Sequence, residues 1–422
     1  MPPRNPAMYR VSLFMRHFAL ALCLGILAAT LWLNLDGTTY YDFIEWRIAD
    51  LHAPAFVIDQ LPAWLTQWSL QSPALTPASL TSHGLMALFM FFVGKELWEA
   101  LILERGALSG PQSLIPLGGV IGATLGAALV WILTSALIET AAESSLGIGW
   151  QVPLGSDVVL GYVLGRRVFG PNHPALHVLL LVTIACDFLG LLVLGLSYPS
   201  GGFFRLGWLA LPLLASFGVW ALYGRRQRLN ASEAARRRGL MLWPYILAAA
   251  VSFIGVAAAG LPPALGLLPV IPAIPHADRS FGFFAEAENF LHDPLNRLAH
   301  LLVRPLALVL FLFGLTRGGI DLSAAAPTTL TTLAALWIGK PLGFLLGCWL
   351  AARITRRTLP QGIALRELLL IAMLLGIGFT VPILALDTAL PGGGMAEAAR
   401  LGLALSLLAA AAALLLARLT RR

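Results

Sequence analysis

Lysine is nearly absent: of the 28 cationic side chains in this 422-residue sequence, only Lys95 and Lys340 are lysines. Charge as a whole is scarce, with 12% Asp, Glu, Lys and Arg against 58% hydrophobic residues, which excludes an ordinary soluble domain. Cysteine is limited to Cys23, Cys186 and Cys348, all inside apolar stretches and without CxxC spacing, so neither a disulfide framework nor a thiolate metal site is expected. No nucleotide loop or covalent nucleophile motif occurs. The glycine pair of GIGFT (376–380) lacks phosphate-binding context and reads as helix-break chemistry. Two membrane aspartates could suggest an intramembrane protease, but the GxGD motif is missing: Asp187 follows Ala-Cys and Asp157 follows Gly-Ser. The chain therefore does not read as an enzyme, and no cofactor is expected.

What remains is apolar length. A mean hydropathy of +0.81 is distributed over stretches of roughly 17–25 residues, the length that spans a bilayer as helix. About twelve are expected: 12–33, 83–104, 112–138, 152–168, 175–197, 203–223, 240–259, 261–274, 299–319, 327–352, 363–388 and 397–417. The fold class is an all-α integral membrane protein, with residues 1–422 forming one polytopic domain. The first segment, after Arg4, Arg10 and Arg16, is too long for a signal h-region and reads as a retained helix. The net charge of +7 does not point to nucleic acid. Its arginines cluster in alternate loops, at Arg105, Arg166 and Arg167, Arg225 to Arg238, and Arg353 to Arg357, while Asp36, Asp42, Glu45, Asp50, Glu139 and Glu143 occupy the loops between. By the positive-inside rule both termini are cytoplasmic, and an even number of crossings follows. The basic run 224–239 reads as a surface helix that meets anionic lipid headgroups.

Ionisable residues inside apolar stretches are functional hypotheses by default, because each costs at least ~2.5–3.5 kcal/mol at bilayer depth. Lys340 lies in ALWIGKPLGFL, Asp157 in GSDVVLGYVLG and Asp187 in LLLVTIACDFLG. Unlike arginine, a buried lysine can exchange its proton near neutral pH. A carboxylate balanced between burial, which favours its neutral form, and a nearby ammonium, which favours its charged form, can hold either a proton or a small cation. An ion pair between Lys340 and one of the aspartates would couple their titrations. Ser156, Thr183 and Thr380 could add hydroxyl oxygens to a hard-cation shell. Lys95 and Glu96 sit near a helix end, where a lysine can snorkel to the surface. The fourth and eleventh segments are interrupted, by Pro153 and Gly155 and by Gly376, Gly378 and Pro382. Broken spans in corresponding positions of two halves are a pointer to a transporter's ion site. Together these features describe a proton-coupled membrane transporter.

Several motifs carry a resemblance. GLMALFMFFVGKEL (84–97), SDVVLGYVLG (156–165), CDFLG (186–190), the stretch 293–323, WIGKPLG (337–343) and GIGFT (376–380) occur in the order of corresponding motifs of the bacterial NhaA sodium/proton antiporter family, which the chain resembles from about residue 8 to 418. The resemblance implies an inverted-repeat transporter with helices four and eleven broken and crossing near the site. It implies export of sodium or lithium against inward proton flow, across the bacterial inner membrane, by a possible homodimer. Residue by residue it makes Asp187 the principal ion-binding carboxylate, Asp157 the acid facing the crossed chains, Lys340 the intramembrane lysine, and Glu96 together with His83 the residues of the pH response.

This chain also departs from the family pattern. Cys186 stands where the family has the first aspartate of its pair, His83 where it has the aspartate of a DGLMA motif, and Pro262 where it has a histidine. Those changes imply altered coupling, closer to one-for-one and nearly electroneutral, with Asp187 taking over Lys340 when no cation is bound. The alternative is a diverged carrier whose cation transport is changed or lost.

Overall fold

Inside lipid every backbone polar group must be satisfied within the protein, and helices do this locally. The computed structural model describes residues 14–48, 75–102, 113–138, 146–171, 173–197, 203–224, 240–276, 293–357, 359, 363–390 and 392–419, and among these it is helical, without a β-ladder. The basic run 225–239 and the expectation of a surface helix there lie outside the described residues. Chain order gives α1 (Phe14–Leu35), α2 (Gly37–Ile44), α3 (Met86–Ile102, entered through a π-helical turn, Leu80–Leu85), α4 (Leu114–Ile138) and α5 (Val158–Phe169). Then come α6 (Pro174–Ser197), α7 (Ala210–Leu222), α8 (Trp243–Ala258) and α9 (Pro294–Arg317). The last are α10 (Pro327–Thr355), α11 (Leu365–Leu375), α12 (Thr380–Ala389) and α13 (Gly393–Leu419). Six of the described helices are long and apolar enough to cross a membrane alone, and the bent pair α11–α12 makes a seventh. The shorter ones, including Leu206–Leu222 and Trp243–Ala258, fall on the remaining predicted spans, so the protein is a multi-pass membrane protein.

One expected span differs in kind. Residues 261–274 form two short 3₁₀ pieces, Pro263–Leu265 and Leu268–Ala273, rather than an α-helix. Pro262, Pro263, Pro269 and Pro272 remove the N–H groups that an α-helix would need there.

Two units repeat the same plan of long helix, broken span and long helix: α4, 146–169 and α6, then α10, α11–α12 and α13. Their first helices pack antiparallel through glycines spaced four apart, Gly118, Gly122 and Gly126 against Gly347, Gly343 and Gly339. Small residues at that spacing let two backbones touch within a membrane. A Cβ on Gly343 would overlap the carbonyl of Gly122 and lie 2.9 Å from Cα of Gly126, both backbone atoms that cannot step aside. Gly343→Val is therefore expected to destabilise the protein by about 1–3 kcal/mol, read as a lower melting temperature in detergent, whereas Leu342→Val on the lipid-facing side, 61% exposed, leaves it nearly unchanged.

The centre of the molecule is α6, 72% of whose apolar window is buried. Large apolar side chains such as Leu24, Leu27 and Leu31 of α1 and Leu125 and Leu129 of α4 point outward instead, where lipid covers them.

Candidate functional site

Both breaks have local causes. Pro153 and Gly155 end the 3₁₀ segment Leu146–Leu154, and Asp157, extended at φ −138° and ψ 109°, begins α5 by accepting the N–H of Leu160 on Oδ1 at 2.7 Å. On the other side α11 stops at Leu375, residues 376–379 are non-helical, and α12 starts at Thr380 with a bend of 45°. Ser406 of α13 covers the exposed backbone there, its Oγ accepting the N–H of Gly378 at 3.2 Å.

The two breaks cross. A Cβ on Gly155 would sit 2.7 Å from Cβ of Val381, and one on Gly378 would lie 3.5 Å from the carbonyl oxygen of Gly155. At this crossing glycine is required by close approach rather than by backbone dihedrals. The N-termini of α5 and α12 both open onto it, each carrying roughly half a positive charge. Asp157 lies between them and serves both: besides Leu160, its Oδ2 accepts the backbone N–H of Thr380 at 3.1 Å and the Thr380 hydroxyl. Asp157 is thus a cap to two helices at once, one of them 223 residues away.

Lys340 and Asp187 stitch the remaining backbone of the first break. The Lys340 ammonium donates to the Gly155 carbonyl, and Asp187 Oδ1 accepts the Ser156 N–H at 2.6 Å. The expected ion pair between Lys340 and an aspartate is absent: among the described residues, neither Asp157 nor Asp187 lies within salt-bridge distance of it. The physical reason is the break itself. A carbonyl deprived of its helical donor in lipid must find another, and Lys340 is held in place to supply it. Lys340 follows a π-helical turn (Ala335–Gly339), and Pro341 cannot donate to the preceding turn, which favours that local widening.

Asp187, Asp157, Lys340, Ser156, Cys186 and Thr380 are all fully or almost fully buried and meet at the crossing. Thr183, one turn before Asp187, does not join them by its hydroxyl proton, which is donated back to Leu179 and Leu180 at 2.9 and 3.0 Å. Ser156 Oγ, beside the Cys186 thiol, is buried without a hydrogen-bond partner. Asp187 Oδ2 likewise accepts no hydrogen bond from the described residues, so one carboxylate oxygen and one hydroxyl are available for a small ligand.

The comparisons with known proteins agree with this architecture. A family model described as Na+/H+ antiporter 1 matches residues 19–417. The chain belongs to the Na+/H+ antiporter 1 family. Among its relatives is the Na(+)/H(+) antiporter NhaA of Jannaschia sp. (strain CCS1), 38% identical over 98% of this chain and 99% of the relative. The Na(+)/H(+) antiporter NhaA 2 of Pelobacter propionicus is 31% identical over 96% and 97%. The sodium proton antiporter MjNhaP1 from Methanocaldococcus jannaschii shares the fold at a TM-score of 0.50, with 15% identity, over 96% of this chain and 98% of that one.

The two residues assigned to a pH response do not come together in this family member. His83 lies in the π-helical turn before α3, exposed to a cavity that Asp387 also lines. Glu96 is thirteen residues further along the same helix, roughly 20 Å away at 1.5 Å per residue. Lys95 does not snorkel. It is 1% exposed and bridges Glu96 at 3.0 Å and Glu99 at 2.9 Å. Glu99 carries no motif, and its only sequence signal is its position four residues after Lys95, the spacing at which helical side chains meet.

Proposed function

We propose that this protein is a secondary active antiporter of the bacterial inner membrane, both termini cytoplasmic, that exports sodium or lithium in exchange for protons. Asp187 is the exchanging carboxylate, and one observation carries the assignment: a buried aspartate that accepts a hydrogen bond on one oxygen only, from the Ser156 N–H, at the crossing of two helix breaks. Oxygen ligands of this kind suit a small hard cation. Proton and cation then compete for the same Asp187 oxygen, and binding of one displaces the other. Ser156 supplies a neutral oxygen. Asp157 and Thr380 hold the crossing, and Lys340 holds the carbonyl that the break exposes.

With Cys186 next to Asp187 instead of a second carboxylate, and with Asp157 engaged by two helix N-termini, one carboxylate remains to carry the exchange. One sodium for one proton moves no net charge. The test is gradient collapse in proteoliposomes with an imposed pH difference. Sodium or lithium, but not potassium, is expected to release the gradient, at a rate indifferent to membrane potential when sodium is saturating. A clear potential dependence would sink the one-for-one stoichiometry. No response to either ion across a broad pH range, from correctly inserted protein, would replace antiport by a diverged carrier that has lost this cation site.

A further inference from the structure

At the end of the bundle opposite Arg166, Arg167 and Arg353, a cavity of about 140 Å³ is enclosed by residues that include Ser82, His83, Leu191, Pro262, Leu384 and Asp387. Its position relative to the site follows from helix geometry. Leu191 is four residues beyond Asp187 on α6, and Leu384 is four residues beyond Thr380 on α12, so each lies about one turn, roughly 6 Å, from a residue of the crossing. The cavity approaches the site and stops at these two leucines.

A single guanidinium joins two residues of its lining, Ser82 and Asp387. Arg317, the last residue of α9, forms an ion pair with Asp387 near the end of α12 and donates through Nη2 to Ser82 Oγ, beside α3, at 3.1 Å. Three elements that border the cavity or flank it are thereby joined through one side chain. A neighbouring pair, Arg400–Glu397 at 2.7 Å, adds charge on α13, and Tyr40 OH donates to the Leu315 carbonyl at 3.1 Å beneath it.

The ten-residue helix α12 is consequently pinned at both ends, by Asp157 at Thr380 and by Arg317 at Asp387. Leu384 lies between the pins. A movement of the Asp387 end of α12 away from α9, to widen the passage between the cavity and Asp187, must break this pair. The ion pair is 17% exposed on one side and 39% on the other. Pairs of that kind are worth up to about 1 kcal/mol, enough to bias two conformations and weak enough to rupture in a transport cycle.

We propose that Arg317, acting through Asp387, is the positioning residue that holds this cavity closed toward the exchange site. The inference rests on the antiport reading for its transport consequence, but not for its geometry. Two measurements separate them. The first is labelling of Leu384→Cys by a membrane-impermeant maleimide added from the cavity side, with the parent chain reporting any background from its own cysteines. Adding Arg317→Gln or Asp387→Asn is expected to speed this labelling roughly two- to fivefold, the two changes together no more than either alone.

The second is the sodium KM on each face of oriented vesicles. The same substitutions are expected to shift it on the cavity side by roughly two- to fivefold and to leave the opposite face unchanged. Labelling that is indifferent to both substitutions overturns the gate, and so does an equal KM shift on the two faces, which would mark a structural strut. Absence of sodium-driven exchange in the parent would count against antiport, while the labelling comparison would still decide whether Arg317 closes the cavity.

Discussion

Asp187→Asn is expected to lower sodium-driven proton release at least about 30-fold, because losing one charged partner of a buried, hydrogen-bonded site costs about 2–5 kcal/mol. The amide keeps an oxygen to accept the Ser156 N–H, so the backbone of the break stays satisfied and the protein folds. What disappears is the negative charge for which proton and cation compete. The measurement is cation-induced collapse of a pH gradient in proteoliposomes, normalised to inserted protein. The companion change Asp157→Ala has a different signature. It removes a cap from both α5 and α12, each worth about 0.5–2 kcal/mol, and lowers the melting temperature in detergent. If Asp187→Asn transported normally, the exchanging group would lie elsewhere and the assignment would fall.

Lys95→Met is expected to destabilise the protein by about 3–5 kcal/mol, the cost of leaving buried charge without its partner. Glu96 and Glu99 share this ammonium at 3.0 and 2.9 Å, and both carboxylates are almost fully buried. Lys95→Met combined with Glu96→Gln and Glu99→Gln is expected to recover most of the loss, since the two carboxylates that share the ammonium are neutralised with it. Melting temperatures of the single and triple variants decide it. A single variant as stable as the parent would mean that the carboxylates accept protons or water readily at this depth.

The membrane class, the positions of the spans and both helix breaks were legible in the sequence because each depends on neighbours along the chain. Apolar length makes a span, Pro153 and Gly155 end one helix, and Gly376 and Gly378 end another. The identity of the buried ionisable residues was equally plain, since Asp157, Asp187 and Lys340 stand alone in apolar runs. Their partners were not. Lys340 was expected opposite an aspartate, and it meets a carbonyl 185 residues away instead. A lysine near a helix end reads as a surface residue, yet Lys95 is buried against Glu99, one helical turn further on.

Arg317 and Asp387 left no signal of pairing at all: 70 positions separate them, and each lies in the last turn of a helix, where a charge is ordinary. The amino-acid sequence by itself determined where this chain enters lipid, where its helices must break and which few side chains carry charge inside. Tertiary structure alone decided which of those charges meet, because in lipid a broken helix leaves backbone donors and acceptors that only another segment can satisfy. Which segment arrives there is set by helix packing, from the glycine contacts of α4 and α10 to the crossing at Gly155 and Gly378, and not by any local pattern.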